Sequence, residues 1–210
     1  FPLAVSRLLD FKGHQRQGAQ ALFLSAAKTE PASPQTDITF PLQHPALVNY
    51  LKQRAIPYSL GRRYLHEVVT RVEDKEYFSV GFKNDSNGFA TRNRYHKGNT
   101  GPQDITTFDV GNRGTVAVFE GFFDFLSALV WFGLEEPRIS TVVLNSTGNR
   151  KKAVEFLSQF EKANCFLDRD KAGMECFEKL ARIDGLNAVD CSMIYEGHND
   201  YNELLIRKIK

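Results

Sequence analysis

Acidic side chains follow two strand-like segments in the second half of the sequence. The apolar segment 115–119 leads directly into Glu120, and the segment 163–167 leads into Asp168 and Asp170. The two aspartates alternate along an extended strand end, which places both carboxylates on one side, while Glu120 arrives from a neighbouring strand. Hard cations such as Mg²⁺ prefer such oxygen ligands, and a cation held there would suit phosphoryl or nucleotidyl transfer.

A structural interpretation of these residues stands beside the metal site. Aspartate is a favoured N-cap, and a helical pattern begins after each of these turns. Asp124 lies one turn into the helix that follows Gly121, and Asp200 opens the last helical segment, which it could simply cap. Two aspartates around one arginine, with a glutamate at another strand end, are harder to explain as a set of caps, so the residues alone leave both interpretations open.

Strand-like and helical patterns alternate from residue 111 onward. Strands are predicted at 115–119, 140–144, 163–167 and 187–190, and helices at 122–132, 149–160, 171–184 and 200–208. This alternation is typical of a parallel sheet with crossover helices. The predicted fold class is therefore α/β, a parallel sheet with flanking helices, and the phenylalanine-rich face of helix 122–132 is predicted to be core.

The preceding part of the chain has the pattern of a small α+β unit behind a linker. Residues 13–43 are rich in Gln, Ala, Ser and Thr and contain three prolines, which is typical of a linker. Helices are predicted at 44–55 and 60–65, and strands at 67–72, 76–82 and 89–94. The predicted domains are 1–43, the tail of an upstream module plus a linker; 44–112, the small α+β subdomain; and 113–210, the α/β domain.

Basic residues are concentrated in the predicted α+β subdomain. Residues 44–110 contain 10 basic and 7 acidic side chains, whereas residues 111–210 contain 13 basic and 15 acidic ones. An electropositive face leading toward the acidic site is predicted from Lys83, Arg92, Arg94 and Lys97. Such a face binds phosphates, and Tyr95 within it could stack on an unpaired base. The alternative is a solvated strand edge that is protected by its charges.

Composition and cysteine usage exclude several classes of protein. The 210-residue chain is 42% hydrophobic and 25% charged, with a formal net charge of +2, which is typical of a globular protein and not of a disordered or collagen-like one. No apolar run approaches the roughly 18–20 residues of a membrane span, and the start does not have the pattern of a signal peptide. The 3 cysteines are spaced neither as a disulfide framework nor as a zinc site. We therefore expect a reduced, cytoplasmic protein without a membrane partner.

Four short motifs together resemble the Toprim domain. They are Phe-Glu120-Gly121-x-x-Asp124, Val-Leu-Asn-Ser-Thr-Gly148, Leu-Asp168-Arg-Asp170-x-Ala-Gly173 and Asn-Asp200-Tyr-Asn202-Glu203. The resemblance covers about residues 113–208, and Toprim domains are shared by DnaG-type primases, type IA and II topoisomerases and some nucleases. The segment from Tyr77 to Lys97 is similar to the part that precedes Toprim in DnaG-type primases.

The resemblance implies a DNA primase-type nucleotidyltransferase that synthesises an RNA primer on single-stranded DNA. Glu120 would be a general acid or base or a metal ligand, Asp168 and Asp170 would bind Mg²⁺ or Mn²⁺, and Asp200 would contribute to a second metal. Gly121, Asp124 and Asn202 would support these ligands from behind. Primases carry a second Asp where this chain has Asn202, so a second metal would bind more weakly. They also tend to carry a Lys at the position of Gln103, a phosphate contact that Lys97 could replace.

The same resemblance indicates the wider context of the chain. It looks most like the primase-related Toprim proteins of bacterial mobile elements, in which a CHC2-type zinc module comes first. Residues 1–11 look like the tail of such a module, so zinc is expected only in that upstream part. Single-stranded DNA and ribonucleotides are the expected partners, with a helicase or mobilisation protein as a further one. Two alternatives stay open, namely a Toprim nuclease or phosphodiesterase, and a non-catalytic DNA-binding module of a mobilisation or replication complex.

Overall fold

The structure is a computed structural model, and it describes residues 35–72 and 75–209. Residues 1–11, the predicted tail of an upstream module, and most of the predicted linker lie outside the described residues. Within the described ranges, no helix is both long enough and apolar enough to cross a membrane.

The first of two sheets is antiparallel throughout. Its strands are β1 (Gln35–Pro41), β2 (Leu65–Val72), β3 (Lys75–Lys83), β4 (Phe89–Arg92) and β5 (Lys97–Thr100), and they lie side by side in chain order. Helices α1 (Pro45–Gln53) and α2 (Tyr58–Tyr64) connect β1 to β2. Pro45 occupies the first turn of α1, where a missing N–H has no cost, and Pro57 separates the two helices.

The second sheet has the predicted α/β architecture. Its strands are β6 (Thr106–Phe108), β7 (Thr115–Phe119), β8 (Ser140–Val143), β9 (Lys162–Phe166) and β10 (Asn187–Asp190), in the order β10-β9-β7-β8-β6. The flanking helices are α3 (Phe122–Trp131), α4 (Arg150–Leu157), α5 (Lys171–Leu180) and α6 (Tyr201–Ile209). Strands β10, β9, β7 and β8 are mutually parallel, which confirms the predicted fold, while β6 is an antiparallel edge strand beside β8.

Two strands correct the predicted domain boundaries. Strand β1 pairs with β2 and thus belongs to the first sheet, so the linker predicted up to residue 43 is wrong for residues 35–41. Strand β6 lies within the predicted α+β subdomain but pairs with β8 of the second sheet. Both are edge strands of mixed polarity, and β1 also has an irregularity between Thr36 and Ile38, so neither has the alternating apolar pattern on which the prediction depended. Strand β5, which is short and polar, was not predicted for the same reason.

The two sheets share one hydrophobic core. Phe82 of the first sheet stacks on Phe122 of helix α3, with ring centroids 5.3 Å apart. The buried face of α3 also includes Phe123, Phe125 and Leu126, which confirms the predicted core. A second cluster fills the opposite face of the parallel sheet, against α4 and α5. Because the shared core fixes one sheet against the other, residues from both can form one site.

Candidate functional site

Glu120 and Asp168 meet at the carboxyl ends of two neighbouring parallel strands. Glu120 follows β7 and Asp168 follows Leu167 after β9, and these strands pair in register from Thr115 to Phe119. The backbone N–H of Asp168 donates to Oε2 of Glu120 at 3.3 Å, and Glu120 N–H donates to the carbonyl of Phe166 at 3.3 Å. The structure therefore brings together the two carboxylates that the strand pattern placed at adjacent strand ends.

A tight turn holds Asp168 in place. Gly173 lies so close to the backbone of Asp168 that a Cβ on it would clash with the Asp168 carbonyl oxygen and lie 3.0 Å from its nitrogen. Asp170 caps helix α5, since its Oδ1 accepts a hydrogen bond from Gly173 N–H at 2.8 Å. Asp170 is exposed and does not line the cleft that Asp168 lines, so one of its oxygens has the structural role that the capping alternative described.

Asp124 and Asn202 are buried next to these carboxylates, and a hydrogen bond connects them. Asp124 is 7% exposed, and its Oδ1 accepts a hydrogen bond from Asn202 N–H at 3.2 Å. The Asn202 side chain is fully buried and donates to Ser127 Oγ and to the carbonyl of Arg54, both at 2.8 Å. Its Oδ1 has no hydrogen-bond partner in the part of the chain that the structure describes. Asn202 thus joins α6 to α3 and to the end of α1, and it does not line the cleft.

Gly121 and Asp200 are both at helix starts that border the cleft. Asp200 Oδ1 accepts a hydrogen bond from Glu203 N–H at 2.7 Å, so it caps the last helix while also lining the cleft. Gly121 precedes α3 in an extended conformation and lines the cleft as well. The two interpretations of Asp200, cap and site residue, are therefore compatible.

Burial and like charges raise the pKa of three carboxyl groups in this cluster. Burial, followed by the charges of Glu120, Asp200 and Asp170, raises the pKa of Asp168 to about 7. Burial also raises the pKa of Glu120, and burial together with Asp200 and Asp168 raises the pKa of Asp124 well above its usual value. A positive charge in the cleft would relieve this crowding.

Two basic residues of the first sheet face the carboxylates across a cleft of about 120 Å³. Arg92 ends β4 and Lys97 begins β5, and the two are direct partners in the antiparallel pair. Lys97 and Arg92 both lower the pKa of Glu120, and burial lowers the pKa of Arg92 itself while Asp124 and Asp168 oppose that shift. The predicted electropositive face thus reaches the acidic site through these two side chains.

The other two predicted basic residues lie elsewhere. Arg94 borders a separate groove, with its guanidinium 5.8 Å from the centre of the Tyr95 ring. Lys83 is exposed at the end of β3, and its charge acts on His66. Neither lines the cleft. Because a sharp turn separates β4 from β5, neighbouring basic residues in the sequence point toward different surfaces.

Arg54 is a cleft residue that the sequence analysis missed. Its guanidinium lies 4.6 Å from the centre of the Phe123 ring, and it lines the cleft beside Asp124. Its buried Nε has no hydrogen-bond partner among residues 35–72 and 75–209. Arg54 ends helix α1, and Ala55 follows with a φ of 56°, closing the helix through hydrogen bonds from Ala55 N–H to Lys52 and from Ile56 N–H to Leu51. An arginine immediately after a helix and before a proline turn is the only sequence signal for it.

Asn145 is a second missed cleft residue. It follows β8 with a φ of 61°, a conformation that asparagine tolerates better than most residues. Its side-chain N–H groups donate to the Asp104 carbonyl at 3.0 Å and to Thr106 Oγ1 at 3.1 Å. Its buried Oδ1 finds no hydrogen-bond partner within the described ranges. The second quoted motif contains Asn145, but the strand pattern assigned no chemistry to it.

The donor set fits a divalent cation held together with phosphates. Over the described residues, no three His, Cys, Asp or Glu side chains form a ready-made metal site. Mg²⁺, however, is commonly bound by one or two carboxylates plus substrate phosphates and water. Glu120 and Asp168, whose pKa values are raised chiefly by burial, meet that requirement.

Family models match two successive parts of the chain. Residues 117–205 match the Toprim-like family, and residues 36–101 match a family described as Domain of unknown function (DUF8464). A search of curated proteins found no match.

Solved primase structures share the fold. The primase fragment of the Bacteriophage T7 primase-helicase protein aligns with a TM-score of 0.54 at 17% identity, over 84% of this chain and 78% of the fragment. The T7 primase domains bound to an RNA/DNA hybrid beside the lagging-strand DNA polymerase align with a TM-score of 0.53 at 17% identity, over 76% and 85%. The zinc-binding and RNA polymerase domains of the Aquifex aeolicus primase align with a TM-score of 0.52 at 15% identity, over 80% and 57%.

These matches confirm the resemblance that the four motifs carry. The Toprim-like match spans the second sheet from Ala117 onward, and the structural alignments extend over the first sheet as well. Residues 117–205 thus match the Toprim-like family, and the chain shares its fold with the T7 and Aquifex aeolicus primase structures.

Proposed function

We propose that the chain is the nucleotidyl-transfer core of a DNA primase, which makes RNA primers on single-stranded DNA in a metal-dependent reaction. The observation that carries this proposal is the cleft itself. Carboxylates that follow strands of the second sheet, chiefly Glu120 and Asp168, line the same cleft as three cations. These are Arg92 and Lys97 of the first sheet and Arg54 at the end of helix α1. A site with both charge signs can hold phosphates and a cation at the same time, as nucleotidyl transfer requires.

The proposed reaction joins a primer 3′-hydroxyl to the α-phosphate of a ribonucleotide. The hydroxyl oxygen forms the new P–O bond and loses its proton, and pyrophosphate leaves. In this proposal one carboxylate oxygen of Glu120 accepts that proton, because Glu120 lines the cleft in which the hydroxyl would bind. Arg92 and Lys97 bind the phosphates that the ribonucleotide brings into the cleft.

Glu120 and Asp168 would hold the metal ion, Mg²⁺ or Mn²⁺. Asp200 at the edge of the cleft and the free oxygen of Asp170 are the next available donors. The ion would neutralise charge on the transferred phosphate and on the leaving group. Asn202 is fully buried and does not line the cleft, so we do not include its side-chain oxygen among the ligands of a second ion.

Single-stranded DNA and ribonucleotides are the proposed partners of this site. The basic side of the cleft fits the phosphates of both. A helicase is a further proposed partner, because one similar structure is a fragment of a primase-helicase protein. A nuclease is the second candidate activity, since the same carboxylates and cation could hydrolyse a phosphodiester.

Primer synthesis in vitro tests the proposal. The protein is incubated with single-stranded DNA, labelled ribonucleotides and Mg²⁺ or Mn²⁺, and short products are resolved on a gel. Glu120→Gln and Asp168→Asn should each reduce synthesis by on the order of 100-fold or more. Asp184→Asn, which removes an exposed carboxylate outside the cleft, is the matched control and should act like the wild type.

Each outcome separates the candidate functions. Products that persist undiminished in both cleft variants would contradict the site. Loss of the DNA substrate in place of synthesis, abolished by the same variants, would favour the nuclease. DNA binding that needs no metal, without synthesis or cleavage, would favour the non-catalytic binding module.

A further inference from the structure

A second groove lies on the first sheet beside helix α1. Its volume is about 370 Å³, and aromatic side chains dominate its lining. These are His44, Tyr50, Tyr77, Phe78 and Tyr95, with Arg94 at the edge. Tyr95 is 88% exposed and Tyr77 is 48% exposed, so both present ring surface to solvent. His44 stacks on Phe78, with ring centroids 4.5 Å apart, and forms part of the groove wall.

The turn that presents Tyr95 is held by hydrogen bonds. Asn93 Oδ1 accepts from the backbone N–H groups of Tyr95 at 2.8 Å and His96 at 2.9 Å. The Asn93 amide group donates to the carbonyl of Phe78 at 3.1 Å, which ties the turn to β3. An exposed tyrosine on a well-bonded turn loses little conformational freedom when a flat ligand stacks on it. These hydrogen bonds therefore fix the backbone position from which Tyr95 exposes its ring to solvent.

The charges at this groove favour a phosphate-bearing ligand. Arg94 lies beside Tyr95, where a guanidinium can contact both a phosphate and a ring. Glu76, the acidic residue of the lining, is paired with Arg71 at 2.9 Å.

The groove adjoins the cleft. Tyr50 lines the groove, and its ring meets the Phe123 ring edge to face at 5.6 Å. Phe123 lines the cleft, and the guanidinium of Arg54 lies over its ring. The lining of the groove and the lining of the cleft are thus in contact through these two rings, and one strand of nucleic acid that passes over this contact would reach both.

We propose that this aromatic groove stacks an unpaired base of the nucleic acid strand that enters the cleft. The identification of that strand as the template rests on the proposed function, whereas the stacking site does not. Base faces inside a duplex are covered by their neighbours, so exposed rings such as Tyr95 and Tyr77 select unpaired bases. Arg94 holds the backbone of the same nucleotide.

Fluorescence anisotropy with labelled single-stranded oligonucleotides tests the groove. Tyr95→Ala combined with Tyr77→Ala should weaken binding by on the order of tenfold or more. Tyr95→Phe keeps the ring and should bind like the wild type. Phe132→Ala removes an exposed ring outside both the groove and the cleft and should also leave binding unchanged. Thermal unfolding of each variant verifies that the fold is intact.

Abasic and RNA oligonucleotides sharpen the result. An abasic strand of equal length should bind the wild type more weakly, and the double variant should lose no further affinity for it. Tighter binding of DNA than of RNA would identify the template as the stacked strand, and the reverse would identify the primer. Unchanged DNA and RNA affinity in the double variant, or an equal loss for the abasic strand, would overturn the proposal and leave the rings as a protein-binding surface. Failure of primer synthesis in the wild type would not affect this measurement, so the two proposals fail separately.

Discussion

The acidic and the basic sides of the cleft are built in different ways. Glu120 and Asp168 come from the ends of adjacent parallel strands, and their meeting follows from strand order alone. Arg92, Lys97 and Arg54 come from a hairpin and a helix end, and they reach the cleft only because the first sheet packs on helix α3. The carboxylates therefore depend on topology, and the cations depend on packing between sheets.

Like charges lie close together on each side of the cleft, which is unfavourable, and the opposite charges across the cleft reduce this repulsion. Arg92 and Lys97 lie directly opposite each other in an antiparallel pair, an arrangement that is unfavourable for like charges. Across the cleft, burial is the main cause of the raised pKa values of Glu120 and Asp168, and the charges of neighbouring carboxylates add to it. The opposite charges across the cleft oppose these shifts, since Lys97 and Arg92 lower the pKa of Glu120, and Asp124 and Asp168 raise that of Arg92.

Reversing one charge on the basic side should have the largest effect. Arg92→Glu adds a carboxylate to a cleft that is already crowded with them, so primer synthesis should fall by on the order of 100-fold. Initial rates at several salt concentrations measure this change. Arg62→Glu, the same substitution at an exposed position on helix α2, is the control and should remain close to the wild type. Equal losses in both variants would mean that net charge, and not the cleft, controls the reaction.

A substitution at Gly173 tests how closely the turn that positions Asp168 is packed. Gly173→Ala places a Cβ against the Asp168 backbone, so it should destabilise the fold by roughly 1–3 kcal/mol. Urea unfolding measures the loss. Gly148→Ala, where a Cβ would be 3.6 Å from Ser146 Oγ, should change stability far less. Similar midpoints for the two variants would show that the turn relaxes without cost.

Replacing Ala55, the residue after Arg54, with glycine should stabilise the end of helix α1. Ala55 has a left-handed φ of 56° at the end of α1, so Ala55→Gly should raise the free energy of unfolding by about 1 kcal/mol. Ala46→Gly, in the first turn of the same helix, should have the opposite sign. The two midpoints in urea give the comparison, and a loss of stability in Ala55→Gly would contradict it.

The smallest expected effect is a pH dependence in the first sheet. Burial and the charge of Lys83 hold the pKa of His66 below 6.5, and His66 Nδ1 has no hydrogen-bond partner in the described part of the chain. As the pH falls below 6.5, the unfolded chain takes up this proton before the folded one, so the wild type loses stability until the lower folded pKa is passed.

Urea midpoints between pH 7.5 and 5 check this dependence. His66→Phe keeps the ring contact with Phe89 but removes the titration, so its midpoint should fall less as the pH decreases. Lys83→Gln should give an intermediate slope, because it removes one of the two causes of the shift. Identical slopes in all three proteins would exclude His66 as the source.

The regular elements could be predicted because their patterns are strong. Strand β7 is buried on both faces and has a continuous apolar sequence, and α3 has a phenylalanine-rich face that packs in the shared core. Strands β1, β5 and β6 could not be predicted, because edge strands need only partial burial and carry polar residues. The boundary of the first sheet was misplaced for that reason alone.

Some residues of the candidate site could also be predicted from the sequence, and others could not. Asp168 and Glu120 were identifiable from their positions after strands, whereas Arg54 and Asn145 are ordinary in type and their roles depend on neighbours from distant parts of the chain. Arg94 is close to Arg92 in the sequence, but the turn between β4 and β5 places it at the aromatic groove and not at the cleft.

The sequence by itself determined the parallel sheet, the resemblance to Toprim and the placement of the acidic residues at strand ends. These are consequences of local periodicity and of the rule that parallel strands end on one edge. Only the tertiary structure decided which cations face the carboxylates, that Asp170 serves as a helix cap, and that an aromatic groove adjoins the cleft. The physical reason is that packing in a shared core, through contacts such as Phe82 on Phe122, brings together surfaces whose relation no local pattern encodes.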